Sequence, residues 1–278
     1  MDPIAVVTGA TNGIGKITAR ELAKKGYRVV LVARNAEKAA RTATEIAAAA
    51  PGALVETILC DMSSQKQIRA AAAELKHRHD RLHVLVNNAG GIWMKREVTE
   101  DGLERTFAVD HLGYFLFTTL LLPQLRQGAP SRVVNVASEA SKVGKIDFDD
   151  LQGEKRYSPG RAYAQAKLAN ILFSSELSRR LVGSGVTSNA LHPGAIASGF
   201  GHNDPGIFRF VVTIARPFLI GEEKGARTSI YLASSPDVDG VSGGYFVKCQ
   251  PRLPPRRARD PDTARRLWEV SERMCGMA

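Results

Sequence analysis

Cysteine is scarce in this chain, and its placement excludes the sites that cysteines usually build. Only three cysteines occur in 278 residues, Cys60, Cys249 and Cys275, and no two of them have a Cys-x-x-Cys spacing. A disulfide framework or a zinc site is therefore not expected. Sparse, unpaired cysteines fit a reducing compartment, and we expect a cytoplasmic protein.

Long hydrophobic runs are also missing. Because no stretch of about 18 consecutive apolar residues occurs, the sequence predicts no membrane-spanning helix. The first β-branched run begins at Ile4, which leaves no room for a signal peptide in the given sequence. The six histidines form no ligand set, and we expect no metal site.

Acidic residues are fewer than basic ones, which gives a formal net charge of +10. About a third of the excess lies in the segment 251–278, where arginines outnumber acidic residues, and aromatic residues do not interleave with them as a single-strand nucleic-acid platform requires. We interpret the segment as a solvated basic tail, with a nucleic-acid role as the weaker alternative.

Short β-branched runs alternate with amphipathic stretches through most of the chain. Strands are predicted at Ile4–Thr8, Arg28–Ala33, Val55–Cys60, Leu82–Asn87, Arg132–Ala137, Val186–Leu191 and Tyr245–Val247. Helices are predicted at Gly13–Lys25, Ala36–Ala50, Ser64–Arg78, Thr99–Gln127 with a break near Gly113, Tyr163–Leu181 and Glu222–Ser234. This alternation predicts an α/β fold: a doubly wound parallel sheet of the Rossmann type, with helices on both faces and a ligand crevice at the carboxyl ends of the strands.

We expect residues 1–250 to form a single domain and residues 251–278 to form a basic C-terminal tail that ends in a docked helix. Asp260 and Pro261 have the residue types of an N-cap and a first helical position. Leu267, Val270 and Met274 then form one apolar stripe, which predicts that this helix packs on the body.

A glycine-rich turn follows the first predicted strand, with the sequence Thr8-Gly9-Ala10-Thr11-Asn12-Gly13-Ile14-Gly15. Glycines permit a tight turn and a close approach of the backbone, and the following helix offers free N–H groups to a pyrophosphate. Such a turn is weak evidence alone and stronger between an N-terminal strand and a helix, so we expect a dinucleotide site here.

Residues at the ends of later strands indicate which dinucleotide is bound. The second strand ends in Ala33-Arg34-Asn35, where NAD-binding proteins carry an acidic residue for the ribose 2′-hydroxyl. A guanidinium without a competing carboxylate favours a 2′-phosphate, so we expect NADP(H) over NAD(H), the alternative being an ordinary surface arginine. Asp61 and Asn88-Ala89-Gly90 close the third and fourth strands, and they either line the crevice or serve plain turns.

Of the six tyrosines, only Tyr163 has a lysine at i+4, which is Lys167. The two share one helix face, so the ammonium is expected to lower the pKa of the phenol and make it a proton donor for a carbonyl. Ser138, just after the fifth strand, faces the same crevice and can donate a hydrogen bond to a substrate oxygen. Together with the dinucleotide turn, these residues predict hydride transfer.

These motifs, together with His192-Pro193-Gly194, resemble the full motif set of the short-chain dehydrogenase/reductase family. Segments such as Gly144–Phe148 and Ser242–Phe246 are similar to the retinol dehydrogenase-like subgroup, which largely prefers NADP(H). The resemblance implies Tyr163 as general acid/base and Ser138 as carbonyl polariser, with Lys167 on the nicotinamide ribose. It further implies 2′-phosphate, adenine and carboxamide contacts from Arg34, Asp61, Met62, Pro193, Gly194, Ile196 and Ser198.

One residue departs from the family pattern. Asp110 stands in Val109-Asp110-His111-Leu112-Gly113, where the family usually has asparagine. A carboxylate cannot donate a hydrogen bond unless protonated, and its charge near Lys167 would oppose a lowering of the Tyr163 pKa. We expect activity to be retained, with a pH optimum above that of Asp110→Asn.

The segment 195–221 is rich in apolar residues and is expected to form a lid over a small apolar carbonyl or alcohol substrate. Its other interpretation is an interfacial helix, so peripheral membrane contact is possible but not favoured. Two further functions stay open: a ketoreductase acting on polyketide- or steroid-like ketones, and a regulatory protein that binds NADP(H) without turnover. Family habit implies a homo-oligomer formed through the two long central helices.

Overall fold

Residues 2–194 and 221–277 are described by the computed structural model. Within these ranges eight strands form one sheet in the order β3-β2-β1-β4-β5-β6-β7-β8. The strands are β1 (Ile4–Thr8), β2 (Arg28–Ala33), β3 (Val55–Leu59), β4 (Val84–Asn87), β5 (Ser131–Val136), β6 (Val186–His192), β7 (Tyr245–Val247) and β8 (Gln250–Arg252). Strands β1 to β7 are parallel, and β8 is antiparallel to β7.

The direction of winding reverses between β1 and β4, which lie side by side at the centre of the sheet. The chain runs outward from β1 through β2 to β3 and then returns to β4, and Val6 is in register with both Val30 and Leu85. Such a reversal opens a crevice at the carboxyl ends of the strands. The predicted doubly wound parallel sheet is confirmed.

Helices cover both faces of the sheet because successive strand residues point to opposite sides. They are α1 (Gly13–Lys24), α2 (Ala36–Ala49), α3 (Gln65–Arg78), α4 (Arg105–Phe107), α5 (Gly113–Gln127), α6 (Pro159–Arg180), α7 (Glu222–Ser234) and α8 (Pro261–Met274). Val6 joins the core on the side of α3, α5, α6 and α8, whereas Ala5 and Val7 join the core under α1, α2 and α7. No described helix has the length and apolarity that a bilayer crossing requires.

The long helix predicted from Thr99 begins later, at Arg105. Thr99 N–H donates to the Leu103 carbonyl at 2.8 Å, and Gly102 has φ +75°, so a turn precedes the helix. The Glu104 carboxylate then caps α4. A π-helical turn, Ala108–Leu112, separates α4 from α5, which confirms the predicted break near Gly113.

The edge strand β8 was not predicted. Lys248 and Cys249 both have positive φ, 53° and 61°, and they form a two-residue turn that places Val247 opposite Gln250. Non-glycine residues adopt this conformation seldom, so the residue types gave little indication of a hairpin.

The C-terminal helix α8 packs on α5 and α6. The Asp260 side chain accepts from Asp262 N–H as the N-cap. The Trp268 ring lies 4.9 Å from that of Phe115 and 5.8 Å from that of Phe173, centroid to centroid. α8 therefore covers part of the helix surface through which the family resemblance implied oligomer contact; the oligomer itself stays a prediction.

Candidate active site

The ends of β1 and β4 are tied together at the start of the crevice. The Thr8 hydroxyl oxygen accepts from the N–H groups of Asn88 and Ala89 at 2.9 and 3.0 Å, and the Asn88 amide donates to the Thr8 carbonyl at 2.9 Å. The Asn88 Nδ2 group is thus engaged within the protein. Asn88 and Ala89 therefore hold the glycine turn in place.

The glycine turn leaves no room for a side chain at two of its positions, Gly9 and Gly15. A Cβ on Gly9 would lie 2.8 Å from Ala89 Cα, and one on Gly15 would lie 2.3 Å from Asn88 Nδ2. Asn12 is the N-cap of α1 but its side chain makes no capping bond, so the first N–H groups of α1, at Gly13 and beyond, are left to other acceptors. This donor set fits a dinucleotide pyrophosphate.

The residues expected at the outer cofactor contacts have different local roles. Arg34 is exposed directly after β2, where its guanidinium can meet an anion. The Asn35 side chain caps α2 by accepting from Lys38 N–H at 2.8 Å. Asp61 accepts from the backbone and the hydroxyl of Ser63 at 2.9 and 2.8 Å, so that oxygen serves a local turn.

Two further predicted contacts frame the crevice. Met62 is buried, and its carbonyl oxygen would lie 3.1 Å from a Cβ on Gly113. Pro193 and Gly194 follow β6, with Gly194 at φ +99°. Ile196, Ser198 and the rest of the expected lid up to residue 220 lie outside the described residues.

Ser138, Tyr163 and Lys167 are brought together. Ser138 directly follows β5, and its hydroxyl oxygen accepts from Ala140 N–H at 3.2 Å. A hydrogen bond links the Ser138 and Tyr163 hydroxyls. Lys167 extends from the next turn of α6, and its Nζ lies 5.6 Å from the centroid of the Tyr163 ring. The three polar groups thus lie together at one end of the sheet.

Asp110 forms a buried ion pair with Lys167. Its Oδ2 lies 3.1 Å from Lys167 Nζ, with the two side chains 0% and 4% exposed. The other oxygen accepts from Gly91 N–H at 2.8 Å. Gly90 packs against the pair, since a Cβ there would lie 3.0 Å from Nζ and 3.1 Å from Asp110 Oδ1. The π-helical turn brings the carboxylate to this position, and such turns are frequent at functional sites.

Burial and this carboxylate set the proton affinities of the site. Burial raises the pKa of Asp110 to about 6, although Lys167 and the Gly91 N–H pull it down. The pKa of Tyr163 is raised, chiefly by burial of its hydroxyl and then by the charge of Asp110, and only its hydrogen bond with Ser138 acts in the opposite direction. The prediction that Lys167 lowers the Tyr163 pKa is therefore wrong for the protein without bound cofactor. The main reason is burial of the hydroxyl, and the negative charge of Asp110 adds to it.

Three buried polar residues near this pair were not predicted as site residues. His111, the neighbour of Asp110, is 0% exposed, and its Nε2 lies 3.0 Å from Ser271 Oγ on α8. Burial lowers the pKa of His111 to about 3. Asn170, one turn after Lys167, donates to the Val136 carbonyl at 3.2 Å. The sequence signal that could have indicated this contact is Ser271, a polar residue that lies one helical turn after Leu267 and therefore falls on the apolar stripe of α8.

The insertion between Ser138 and Tyr163 closes one side of the site. The Tyr157 hydroxyl donates to the Trp93 carbonyl at 2.7 Å, and the Arg105 guanidinium lies 5.1 Å from the Trp93 ring centroid. A cavity of about 300 Å³ lies below this insertion, lined by residues such as Tyr157 and Gln165. Neither Ser138 nor Tyr163 lines it, so it is separate from the hydroxyl groups that would do chemistry.

Comparisons with known proteins agree with this geometry. A sequence model described as "short chain dehydrogenase" matches residues 3–205. Retinol dehydrogenase 12 of Mus musculus and of Homo sapiens are each 43% identical to this chain over 274 residues, which cover 99% of this chain and 86% of theirs.

Solved structures share the fold as well. A crystal structure of an uncharacterized protein from Mycobacterium Paratuberculosis has a TM-score of 0.80 and 34% identity, covering 99% of this chain and 93% of the other. The Pseudomonas aeruginosa RhlG/NADP active-site complex has a TM-score of 0.71 and 29% identity, covering 88% and 93%. The chain therefore belongs to the short-chain dehydrogenase/reductase family, within its retinol dehydrogenase-like group, and is an oxidoreductase of CH–OH groups that uses a nicotinamide cofactor.

Proposed function

We propose that this protein is an NADP(H)-dependent oxidoreductase that transfers a hydride between nicotinamide and an apolar aldehyde, ketone or alcohol. The observation that carries the proposal is the convergence of Ser138, Tyr163 and Lys167 at the sheet end that also holds the glycine turn. A proton donor, a carbonyl polariser and a cation at one crevice are what carbonyl reduction needs.

Each side chain has a separate role in this reaction. The bound nicotinamide supplies or accepts the hydride. In reduction, the Ser138 hydroxyl donates a hydrogen bond to the carbonyl oxygen, and the Tyr163 phenol gives that oxygen its proton. The Lys167 ammonium stabilises the resulting phenolate, while Asp110 weakens this effect by pairing with the same ammonium. In oxidation the phenolate takes the alcohol proton.

The preference for NADP(H) rests on charge. Arg34 is exposed directly after β2, and Asn35 rather than an acidic residue follows it. A guanidinium pairs well with a phosphate dianion, whereas the ribose hydroxyl of NAD is usually bound by a carboxylate, which neither Arg34 nor Asn35 supplies. The NADP complex of the similar RhlG structure supports the same choice.

The substrate class rests on the relatives and on the apolar sequence of the expected lid. Relatives that are 43% identical carry the name retinol dehydrogenase. Retinol is an alcohol with a long apolar body. Trp93, half-buried beside the crevice, adds an apolar surface. We keep a cytoplasmic location as part of the proposal, because the three cysteines are free.

The test is consumption of NADPH and of NADH by purified protein with a panel of carbonyls: all-trans-retinal, medium-chain aldehydes, a cyclic ketone and a steroid ketone. We expect turnover with NADPH on an apolar member and its loss in Tyr163→Phe. Tight NADPH binding without turnover on any member would overturn the catalytic proposal and favour a regulatory protein. A preference for the cyclic or steroid ketone would favour the ketoreductase instead.

A further inference from the structure

One buried hydrogen bond connects the C-terminal helix to the active site. His111 Nε2 and Ser271 Oγ lie 3.0 Å apart, and both residues are 0% exposed. The Ser271 hydroxyl donates its single hydrogen to the Leu267 carbonyl at 2.7 Å. Its oxygen is therefore the acceptor toward His111, so the imidazole carries its proton on Nε2.

The same imidazole borders the catalytic lysine. Asn170 lies beside the ring, and burial together with the nearby Lys167 charge keeps the ring neutral, with a pKa of about 3. The Val136 carbonyl receives Asn170 Nδ2 at 3.2 Å and lies 3.5 Å from Lys167 Nζ. His111 thus stands between α8 and the residues that surround Lys167.

Docking of α8 does not need this bond. Trp268 stacks on Phe173 and lies over Phe115, its ring centroid is 4.3 Å from the Arg180 guanidinium, and Leu267 is buried. A hydroxyl and an imidazole in such a core each require a polar partner, because an unpaired buried group costs about 1–3 kcal/mol. An alanine at 271 would satisfy packing alone, so the pair has a use other than burial.

The π-helical turn explains what that use is. His111 and Asp110 are neighbours in Ala108–Leu112, and a π turn holds one more residue than the α-helix around it. If the turn relaxed to α-helical spacing, its side chains would rotate by about 100° around the axis, and Asp110 would leave Lys167. Pinning His111 to Ser271 keeps the turn in the register that forms the ion pair.

We infer that His111 and Ser271 are positioning residues through which the C-terminal helix holds the Asp110–Lys167 ion pair in its reactive geometry. The inference rests on the proposed function for its catalytic consequence. The titratable and charged groups facing Asp110 are Lys167 and Tyr163 on α6, Tyr114 on α5 and Glu104 before α4.

The central variant is Ser271→Ala, which removes the acceptor and keeps the packing. We expect kcat to fall about tenfold, because a displaced Asp110 no longer holds Lys167 in place, and this loss of position outweighs the relief from its negative charge. The KM values for NADPH and for the carbonyl should change less than about twofold. The Asp110 carboxyl should also titrate at higher pH, because a loosened pair loses the lowering effect of Lys167. Its carbon NMR signal, followed from pH 4 to pH 8, measures that midpoint without any turnover.

Two variants of His111 divide its contacts. His111→Gln keeps a nitrogen near the Nε2 position and should retain most of the wild-type kcat. His111→Asn keeps a polar atom only near the Nδ1 position, loses the bond to Ser271, and should behave like Ser271→Ala. The matched controls are Ser174→Ala, a buried hydroxyl 3.0 Å from Ser188 Oγ, and Trp268→Phe, which trims the packing of α8 and keeps an aromatic ring there as well as His111 and Ser271. Both should lower stability and leave the Asp110 midpoint in place.

The outcomes separate the two proposals. If Ser271→Ala and the control Ser174→Ala have the same Asp110 titration midpoint and the same kcat, the His111–Ser271 link is structural only and the inference is overturned. If the wild type reduces none of the carbonyls while the Asp110 midpoint still moves in Ser271→Ala, the proposed function fails and the positioning link stands.

Discussion

Replacing Asp110 with asparagine removes the carboxylate that pairs with Lys167 and keeps nearly the same shape. The wild-type Tyr163 pKa is raised by burial and then by this negative charge. Removing the charge should therefore lower the pKa of the phenol. The Lys167 ammonium, released from its partner, should then act on Tyr163 as the family pattern implies.

The size of the effect follows from two distances. Asp110 Oδ2 lies 3.1 Å from Lys167 Nζ, and Nζ lies 5.6 Å from the Tyr163 ring centroid. The carboxylate is therefore within about 9 Å of the ring, where a unit charge at an effective dielectric constant of about 20 contributes about 2 kcal/mol, or somewhat more than one pKa unit.

The assay is the pH dependence of kcat for alcohol oxidation, which needs the phenolate and therefore rises with pH. We expect the midpoint of Asp110→Asn to lie about one unit below that of the wild type. The wild type should show a further inflection near pH 6, where Asp110 itself titrates, and the variant should lack it.

The control is the same change at Asp147, a partly exposed carboxylate 3.8 Å from the Arg161 guanidinium. It should leave the profile unchanged. A midpoint for Asp110→Asn that is equal to or above the wild-type value would refute the electrostatic reasoning. Such a result would mean that the carboxylate acts on Tyr163 through structure and not through charge.

Three further changes test other parts of the site. Gly15→Ala should weaken NADPH binding at least tenfold, because its Cβ would lie 2.3 Å from Asn88 Nδ2, whereas Gly160→Ala, with nothing within 4 Å, should bind normally in a fluorescence titration. Arg34→Ala should raise the KM for NADPH about 10- to 100-fold and leave that for NADH nearly unchanged, since one charged hydrogen bond contributes about 1.5–3 kcal/mol. Trp268→Ala should lower the free energy of unfolding by about 3–5 kcal/mol in urea denaturation.

Each of these has a result that would contradict it. Normal NADPH affinity in Gly15→Ala would remove the glycine turn from the cofactor site. Equal effects of Arg34→Ala on NADPH and NADH would argue against 2′-phosphate recognition. A loss below about 1 kcal/mol for Trp268→Ala would mean that α8 is held mainly by its polar contacts.

The strands and the crevice were predictable because their signals are local. Buried parallel strands show as continuous apolar runs, so residues such as Arg28–Ala33 and Tyr245–Val247 were found with their observed bounds. The carboxyl ends of those strands then place Ser138 and the glycine turn at one edge of the sheet.

Other features depend on contacts that no local pattern encodes. The pKa of Tyr163 was expected to fall under the charge of Lys167, with Asp110 opposing that effect, whereas burial of the hydroxyl, which no local pattern shows, is the largest cause of its rise. The His111–Ser271 bond joins residues 160 positions apart. The start of α4 at Arg105 depends on the Glu104 cap, which a period count over Thr99–Gln127 does not detect.

The last strand of the sheet has a consequence for how the protein meets other copies of itself. Val247 and Gln250 flank the two-residue turn as a hydrogen-bonded pair, so the next residue of β8, Pro251, turns its backbone away from β7. Proline has no N–H, and this outer edge of β8 therefore offers a carbonyl acceptor without a donor. A further strand could not build a regular ladder there, and the sheet is protected on that side against edge-to-edge aggregation.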